Sequence, residues 1–253
     1  MKLTFLGTGT STGVPVIGCK CPVCTSADPH DKRLRSSAII ETEQDIRILI
    51  DCGPDFREQM LSLPFKPIDA ILLTHLHYDH IAGIDDLRPF NKFGTTQIYC
   101  DKTTEGALRR MYPYCFEDPL RQGIPHISVK RAMAGQPLNI KGVEVLPIEV
   151  MHGKLPILGY RIGTMAYITD MKSISPDNLA LLQGIKTLII NGLRFTPHPT
   201  HHTIQEAVRI AQELSVEHAY ITHLNHDACL HADQSNHLPE NILLAYDGQT
   251  ILC

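Results

Sequence analysis

Apolar and polar positions alternate over residues 2–6 and stop at Gly7-Thr8-Gly9, which predicts an opening strand running into a tight turn. Short apolar runs over 37–41, 46–51, 70–73 and 97–100 read as further strands, and 104–111 as a short helix. The middle of the chain, 143–150, 158–162 and 166–169, is rich in β-branched residues bounded by Gly or Pro, so it predicts strands again. Beyond it the pattern turns to helix at 176–182, buried strand at 187–190, helix at 204–214 and strand at 219–222. Asp247-Gly248 between two apolar runs predicts a closing β-hairpin over 242–252. No period of 20–50 residues and no low-complexity linker interrupts this series. Strands outnumber helices, and helices fall both early and late. The expectation is one domain over 1–253, built as two sheets with helices outside each.

Composition narrows the function. With 253 residues, 43% of them hydrophobic, the chain can bury a core without disulfides. A formal charge of −4, from 23 Lys+Arg against 27 Asp+Glu, exerts no long-range pull on a polyanion and disfavours nucleic acid as a partner. No apolar run approaches the length of a membrane span, and MKLTFLGTGTSTG turns polar too soon for a secretory leader; a cytoplasmic protein with no membrane partner is expected. The absence of Trp argues against a base- or sugar-stacking platform. The counts that stand out are 14 His and 8 Cys. Three of those Cys lie within Cys19–Cys24, which favours metal ligation over a disulfide framework.

The most informative stretch is His75-Leu76-His77-Tyr78-Asp79-His80, directly after the apolar run that ends at Leu73. Residues two apart in extended chain project to the same side, so His75 and His77 can reach one metal, and the turn that follows brings Asp79 and His80 to a neighbouring one. Such a cluster is expensive to desolvate unless something pairs with it.

This segment resembles the His-x-His-x-Asp-His signature of the metallo-β-lactamase superfamily. Ile48-Leu49-Ile50-Asp51-Cys52-Gly53 is similar to that superfamily's first motif, whose Asp supports the metal-binding loop. His152 in Val-Met-His-Gly, Asp170 in Tyr-Ile-Thr-Asp and His223 in Tyr-Ile-Thr-His follow in the superfamily's order. The resemblance implies an αββα four-layer sandwich and two divalent catalytic metal ions: His75, His77 and His152 on the first, Asp79, His80 and His223 on the second, Asp170 bridging. A metal-bridging hydroxide would be the nucleophile. Nitrogen and carboxylate donors suit Zn, Mn or Fe alike, with Mn or Zn the expected pair.

Cys19, Cys21 and Cys24, in a Cys-rich loop over 18–26, form a C-x-C-x2-C cluster that wants one more ligand to close a tetrahedral structural Zn site; His226, at an odd offset from His223, is the candidate. With the Gly-Thr-Gly-Thr-Ser loop, this pattern is similar to the cyclic-phosphate phosphodiesterases of the carbon–phosphorus lyase pathway. That similarity implies a phosphoribosyl 1,2-cyclic phosphate-like substrate, manganese at the catalytic pair, a separate structural zinc and a homodimer. His201-His202-Thr203 before a helix resembles the His-x-Thr segment of the phosphodiesterase branches, and the role of assisting the leaving ester oxygen is carried to His202, while Asp170, as the bridging ligand that holds the attacking hydroxide, is the other catalytic residue. The expected activity is that of a binuclear metal-dependent phosphoric diester hydrolase acting on a small molecule. Its rivals are a transfer-RNA 3′-end-type processing nuclease, which shares the metal site but carries a basic arm not seen here, and a non-hydrolytic metal protein resembling the pyrroloquinoline quinone biosynthesis protein B, which shares the early Cys pattern. A β-lactamase or thioesterase is a weaker third choice.

Overall fold

The structure is a computed structural model that describes residues 1–117 and 121–253. Fourteen strands are described. The first group comprises β1 (Lys2–Gly7), β2 (Ser37–Glu41), β3 (Arg47–Ile50), β4 (Ala70–Leu72), β5 (Thr96–Cys100) and β6 (Ile127–Arg131). The second comprises β7 (Leu138–Ile140), β8 (Val143–His152), β9 (Leu155–Ile162), β10 (Met165–Ile168), β11 (Thr187–Asn191), β12 (His218–Thr222) and β13 (Ile242–Leu244), and the chain closes with β14 (Thr250–Leu252). The helices are α1 (Pro22–Thr25), α2 (Phe56–Leu61), α3 (Tyr78–Ile81), α4 (Lys102–Met111), α5 (Tyr114–Glu117), α6 (Pro176–Ala180) and α7 (Ile204–Glu213).

Two seven-stranded sheets result, ordered β14-β1-β2-β3-β4-β5-β6 and β13-β12-β11-β10-β9-β8-β7. Each is mixed: β3 to β6 run parallel in the first and β10 to β13 in the second, with antiparallel neighbours completing both. The side-chain period of two explains the layering. Along the first sheet Leu3, Phe5, Ile48, Ile50 and Leu72 point inward to meet Leu158, Tyr160, Tyr167 and Ile189 of the second. Their alternates Ile39, Leu49, Ile71 and Ile98 face outward under Phe56, Ile81, Leu87 and Leu108. On the far side Ile148, Ile168, Ile190 and Ile221 pack against Ala207, Ala211 and Leu214. Central strands buried on both faces read as unbroken apolar runs, which is why they were legible as strands. The architecture is the expected αββα sandwich.

The terminal hairpin does not form. β13 pairs with β12 in the second sheet and β14 with β1 in the first, so Asp247-Gly248 crosses between sheets. The crossing is held by tertiary bonds: Thr8 and the Leu34 amide donate to the two Asp247 carboxylate oxygens, and the Gly248 amide donates to Phe5 O. A local turn signal carries no information about which sheet each arm joins. Helix α2, the 3-10 stretch Ile84–Phe93 and strands β6 and β7 were not read from the pattern.

Candidate metal centre

Parallel strands of both sheets end at one edge of the sandwich, where open α/β sheets place their sites. Asp51 follows β3, Thr74 and His75 follow β4, Asp170 follows β10, His223 follows β12, and His152 closes β8. Three of these residues stop their strands abruptly in left-handed backbone: Asp51 at φ 59°, Asp170 at φ 57° and His223 at φ 57°. Non-glycine residues there carry roughly 1–3 kcal/mol of strain each, which persists only where the surroundings over-determine the conformation. Glycines let the next loop close down: a Cβ on Gly53 would lie 2.1 Å from Asp79 O, and one on Gly83 2.1 Å from Gly53 O.

The seven histidines and aspartates expected at the catalytic pair converge. Ligand-capable atoms of His75, His77 and His152 lie within 4.8 Å of one another, as do those of Asp79, His80 and His223, and those of His75, His80 and Asp170. Asp170 Oδ1 is 3.0 Å from His223 Nε2, and Oδ2 is 3.4 Å from His80 Nε2. His75 Nε2 faces His77 Nδ1 at 2.9 Å.

Behind these atoms a set of hydrogen bonds orients each ring. His152 Nδ1 is within 2.9 Å of Asp170 O and 3.0 Å of Thr200 O, which fixes its proton on Nδ1 and leaves Nε2 as a lone pair. Asp51 accepts from the Thr74 amide at 2.8 Å and from its hydroxyl, and His80 Nδ1 donates to Asp51 Oδ2. Thr169 Oγ1 donates to Asp170 Oδ2 at 2.6 Å.

The electrostatics call for positive charge between the rings. Burial opposes ionisation of Asp170 and Asp79, yet neighbouring His80 and His223 hold both carboxyls below their usual range. Burial likewise opposes protonation of His80 and His223, but the surrounding carboxylates raise both, His223 to about 9. His80 Nε2, His223 Nε2 and His201 Nδ1 are buried without a hydrogen-bond partner. Unsatisfied imidazole nitrogens beside ionised carboxylates form a donor set that fits divalent cations.

Of the two adjacent histidines, His202, expected as the acid, is not the one that groups with the cluster. His201, not His202, is the imidazole brought to the cluster: its donor atom groups with those of His152 and Asp170, its Nδ1 is 3.7 Å from Asp170 Oδ1, and its ring stacks on His223 at 4.9 Å. His202 turns to the other side, where Glu206 and Lys172 are its charged neighbours. The reason is parity. Thr203, the N-cap of α7, is extended at φ −73°, ψ 164°, and adjacent residues of extended chain point to opposite faces. Alternation read back from the cap was the signal available in the sequence. His198, whose ring lies 5.0 Å from that of His201, also went unread.

The Cys loop forms its own cluster. His226 Nδ1 lies 3.1, 3.6 and 3.5 Å from Sγ of Cys19, Cys21 and Cys24. A hydrogen bond from the Cys24 amide, acting against burial, brings the Cys21 thiol down to about 7, whereas burial lifts Cys24 to about 11. Three thiols and an imidazole at these separations are a closed tetrahedral donor set of the structural-zinc kind. The left-handed turn at His223 lets that residue face one cluster while His226 faces the other.

The family described as Beta-lactamase superfamily domain matches residues 46–224. An octanoyltransferase of Porphyromonas gingivalis is 41% identical over 249 residues, 98% of this chain but 51% of that protein; the chain spans about half the length of this relative. A solved structure described as a new diphosphatase from the PhnP family superposes with a TM-score of 0.92 at 40% identity, covering 100% of this chain and 97% of the other. Zinc-bound PqqB from Methylobacterium extorquens superposes with a TM-score of 0.81 over 100% of both chains at 18% identity, a likeness of fold alone.

Proposed function

The chain belongs to the beta-lactamase superfamily, and from that premise we propose that it is a binuclear metal-dependent phosphodiesterase acting on a small phosphate diester, of the phosphoribosyl 1,2-cyclic phosphate kind. The observation that carries the reading is Asp170, whose two oxygens face His223 on one side and His80 on the other. In this reading His75, His77 and His152 would hold one cation and Asp79, His80 and His223 the second, with Asp170 shared between them; Cys19, Cys21, Cys24 and His226 would hold a structural zinc. Two divalent cations, when bound, supply Lewis acidity and charge for phosphoryl oxygens.

The chain's own residues do the rest. Asp51 and Thr74 fix the rings of His80 and His75, and Thr169 fixes the Asp170 carboxylate, so the donors need little reorganisation. Burial holds the His201 imidazole below its usual range and so favours its neutral form. A neutral imidazole serves as a hydrogen-bond donor to charge developing on the departing ester oxygen. The diphosphatase named above supports phosphoryl chemistry. Octanoyl transfer is not proposed, since the matched stretch is half of that relative. The negative net charge of this chain supports a compact substrate over a long polyanion.

The test is a substrate panel on protein supplied with Mn or Zn: bis-p-nitrophenyl phosphate, a ribose 1,2-cyclic phosphate, p-nitrophenyl phosphate and a transfer-RNA precursor. The reading expects chelator-sensitive turnover of the two small diesters. Folded protein that turns over neither diester with any divalent cation would contradict it.

A further inference from the structure

The segment that carries His201 has no regular secondary structure between β11 and α7. Its base is closed by two backbone hydrogen bonds, Leu193 N to His202 O at 3.0 Å and Ile204 N to Arg194 O at 2.9 Å. The Arg194 side chain, 27% exposed, reaches across the loop. Its Nε donates to Thr196 O at 3.4 Å and its Nη2 to Pro197 O at 3.2 Å, while Nη1 lies 3.5 Å from Asp227 Oδ2. Asp227 belongs to the stretch after β12 that bears both His223 and His226, and the Asn225 amide of that stretch donates to Leu193 O at 3.0 Å. One guanidinium therefore ties the His201 loop to the segment that presents His223.

We infer that Arg194 is a positioning residue, holding the 194–204 loop so that His201 stays stacked on His223 and beside Asp170. The inference rests on the reading of His201 as the donor to the leaving oxygen. A loop of this length loses conformational entropy on ordering, and Pro197 and Pro199 stiffen it without anchoring it. A planar fork with several fixed donors can bond two carbonyls and a carboxylate at once, whereas an ammonium offers a single point charge. Lys is therefore no substitute here. Arg194 supplies no ligand atom to either cluster and reaches the His226 side only through Asp227, whose Oδ1 is 3.9 Å from His226 Nε2, so its removal takes away no metal donor.

The experiment is a double-mutant cycle on the full, metal-loaded chain with bis-p-nitrophenyl phosphate, using Arg194→Gln, Arg194→Lys, His201→Ala and the pair Arg194→Gln/His201→Ala. Displacement of a reacting group by about 1 Å costs up to roughly 100-fold. Arg194→Gln is expected to lower kcat about tenfold or more with KM changed less than about twofold and metal content unchanged, and Arg194→Lys to restore little. In the His201→Ala background Arg194→Gln should have no further effect, because the residue through which it acts is gone. If His201→Ala is damaging but the two losses multiply, or if Arg194→Lys is fully active, the role of Arg194 is overturned. If His201→Ala is inert, the assignment of His201 falls first, and the route through Arg194 falls with it. Hydrogen exchange of the Leu193 and Ile204 amides gives a readout independent of turnover: protection should drop in Arg194→Gln, and unchanged protection would contradict the clamp.

Discussion

His80 Nδ1 donates to Asp51 Oδ2 at 2.6 Å, within a pair whose side chains are 1% and 0% exposed. The bond turns His80 Nε2 outward, to 3.1 Å from Asp79 Oδ2 and 3.4 Å from Asp170 Oδ2. Asp51 belongs to neither set of proposed ligands, yet it decides which nitrogen His80 offers.

Replacing Asp51 by Asn keeps the shape but removes a carboxylate acceptor. Loss of such an orienting partner lowers metal affinity by about 10–100-fold. Titration of metal-free Asp51→Asn with Zn or Mn, followed by calorimetry, should show that loss with the fold retained. Wild-type affinity would contradict the orienting role.

The two adjacent histidines separate cleanly. Removing one preorganised donor to a developing charge costs about 100–1000-fold in kcat. His201→Ala should show a loss of that size on a small diester, while His202→Gln should stay within about tenfold of wild type. The reverse order would restore His202 to the site.

In the Cys loop, Cys21→Ser removes a thiol that the Cys24 amide brings down to about 7. Thiolate sites hold structural zinc with about 10 kcal/mol or more of apparent binding energy. The variant should lose one zinc per chain and lower the melting temperature while keeping the catalytic cations. Retention of that zinc, or loss of all metals together, would count against two separate sites.

Asp247 gives a pH dependence away from both clusters. Burial raises its carboxyl from an ordinary 3.8 to about 6, despite the bonds from the Leu34 amide and Thr8. A folded-state pKa above the unfolded one means the native chain binds the extra proton between about pH 4 and 6, so this contribution is present at the low end of that window and lost as pH rises through it. Its size is of order 2–3 kcal/mol. In urea titrations of metal-free protein, the stability of wild type relative to Asp247→Asn should therefore shrink from pH 4 to 6.5. A constant or growing difference would refute the assignment.

Much of this was legible because the chemistry is dense in sequence. Four candidate ligands in six residues after a strand, and three thiols in one loop, constrain each other without tertiary information. The central strands were legible for a different reason, being apolar on both faces. What could not be read depended on distant partners. Asp247-Gly248 looks like a hairpin turn until Thr8 and Leu34, more than 200 residues away, draw it across to the other sheet. The choice between His201 and His202 turned on one residue of parity, and Arg194 shows its role only through carbonyls and a carboxylate that the fold brings to it. The 3-10 stretch Ile84–Phe93 contains Pro89 and has no simple period to reveal it.

The central claim is that the histidine–aspartate cluster holds two cations through Asp170 and that these drive diester hydrolysis. The most direct measurement is elemental analysis of the purified chain alongside bis-p-nitrophenyl phosphate turnover, in wild type and Asp170→Ala. The account predicts about three metal ions per wild-type chain, one of them a chelator-resistant zinc, and in Asp170→Ala the zinc retained, the other two depleted and turnover abolished. One zinc per wild-type chain with no diester turnover, or full activity in Asp170→Ala, would contradict it.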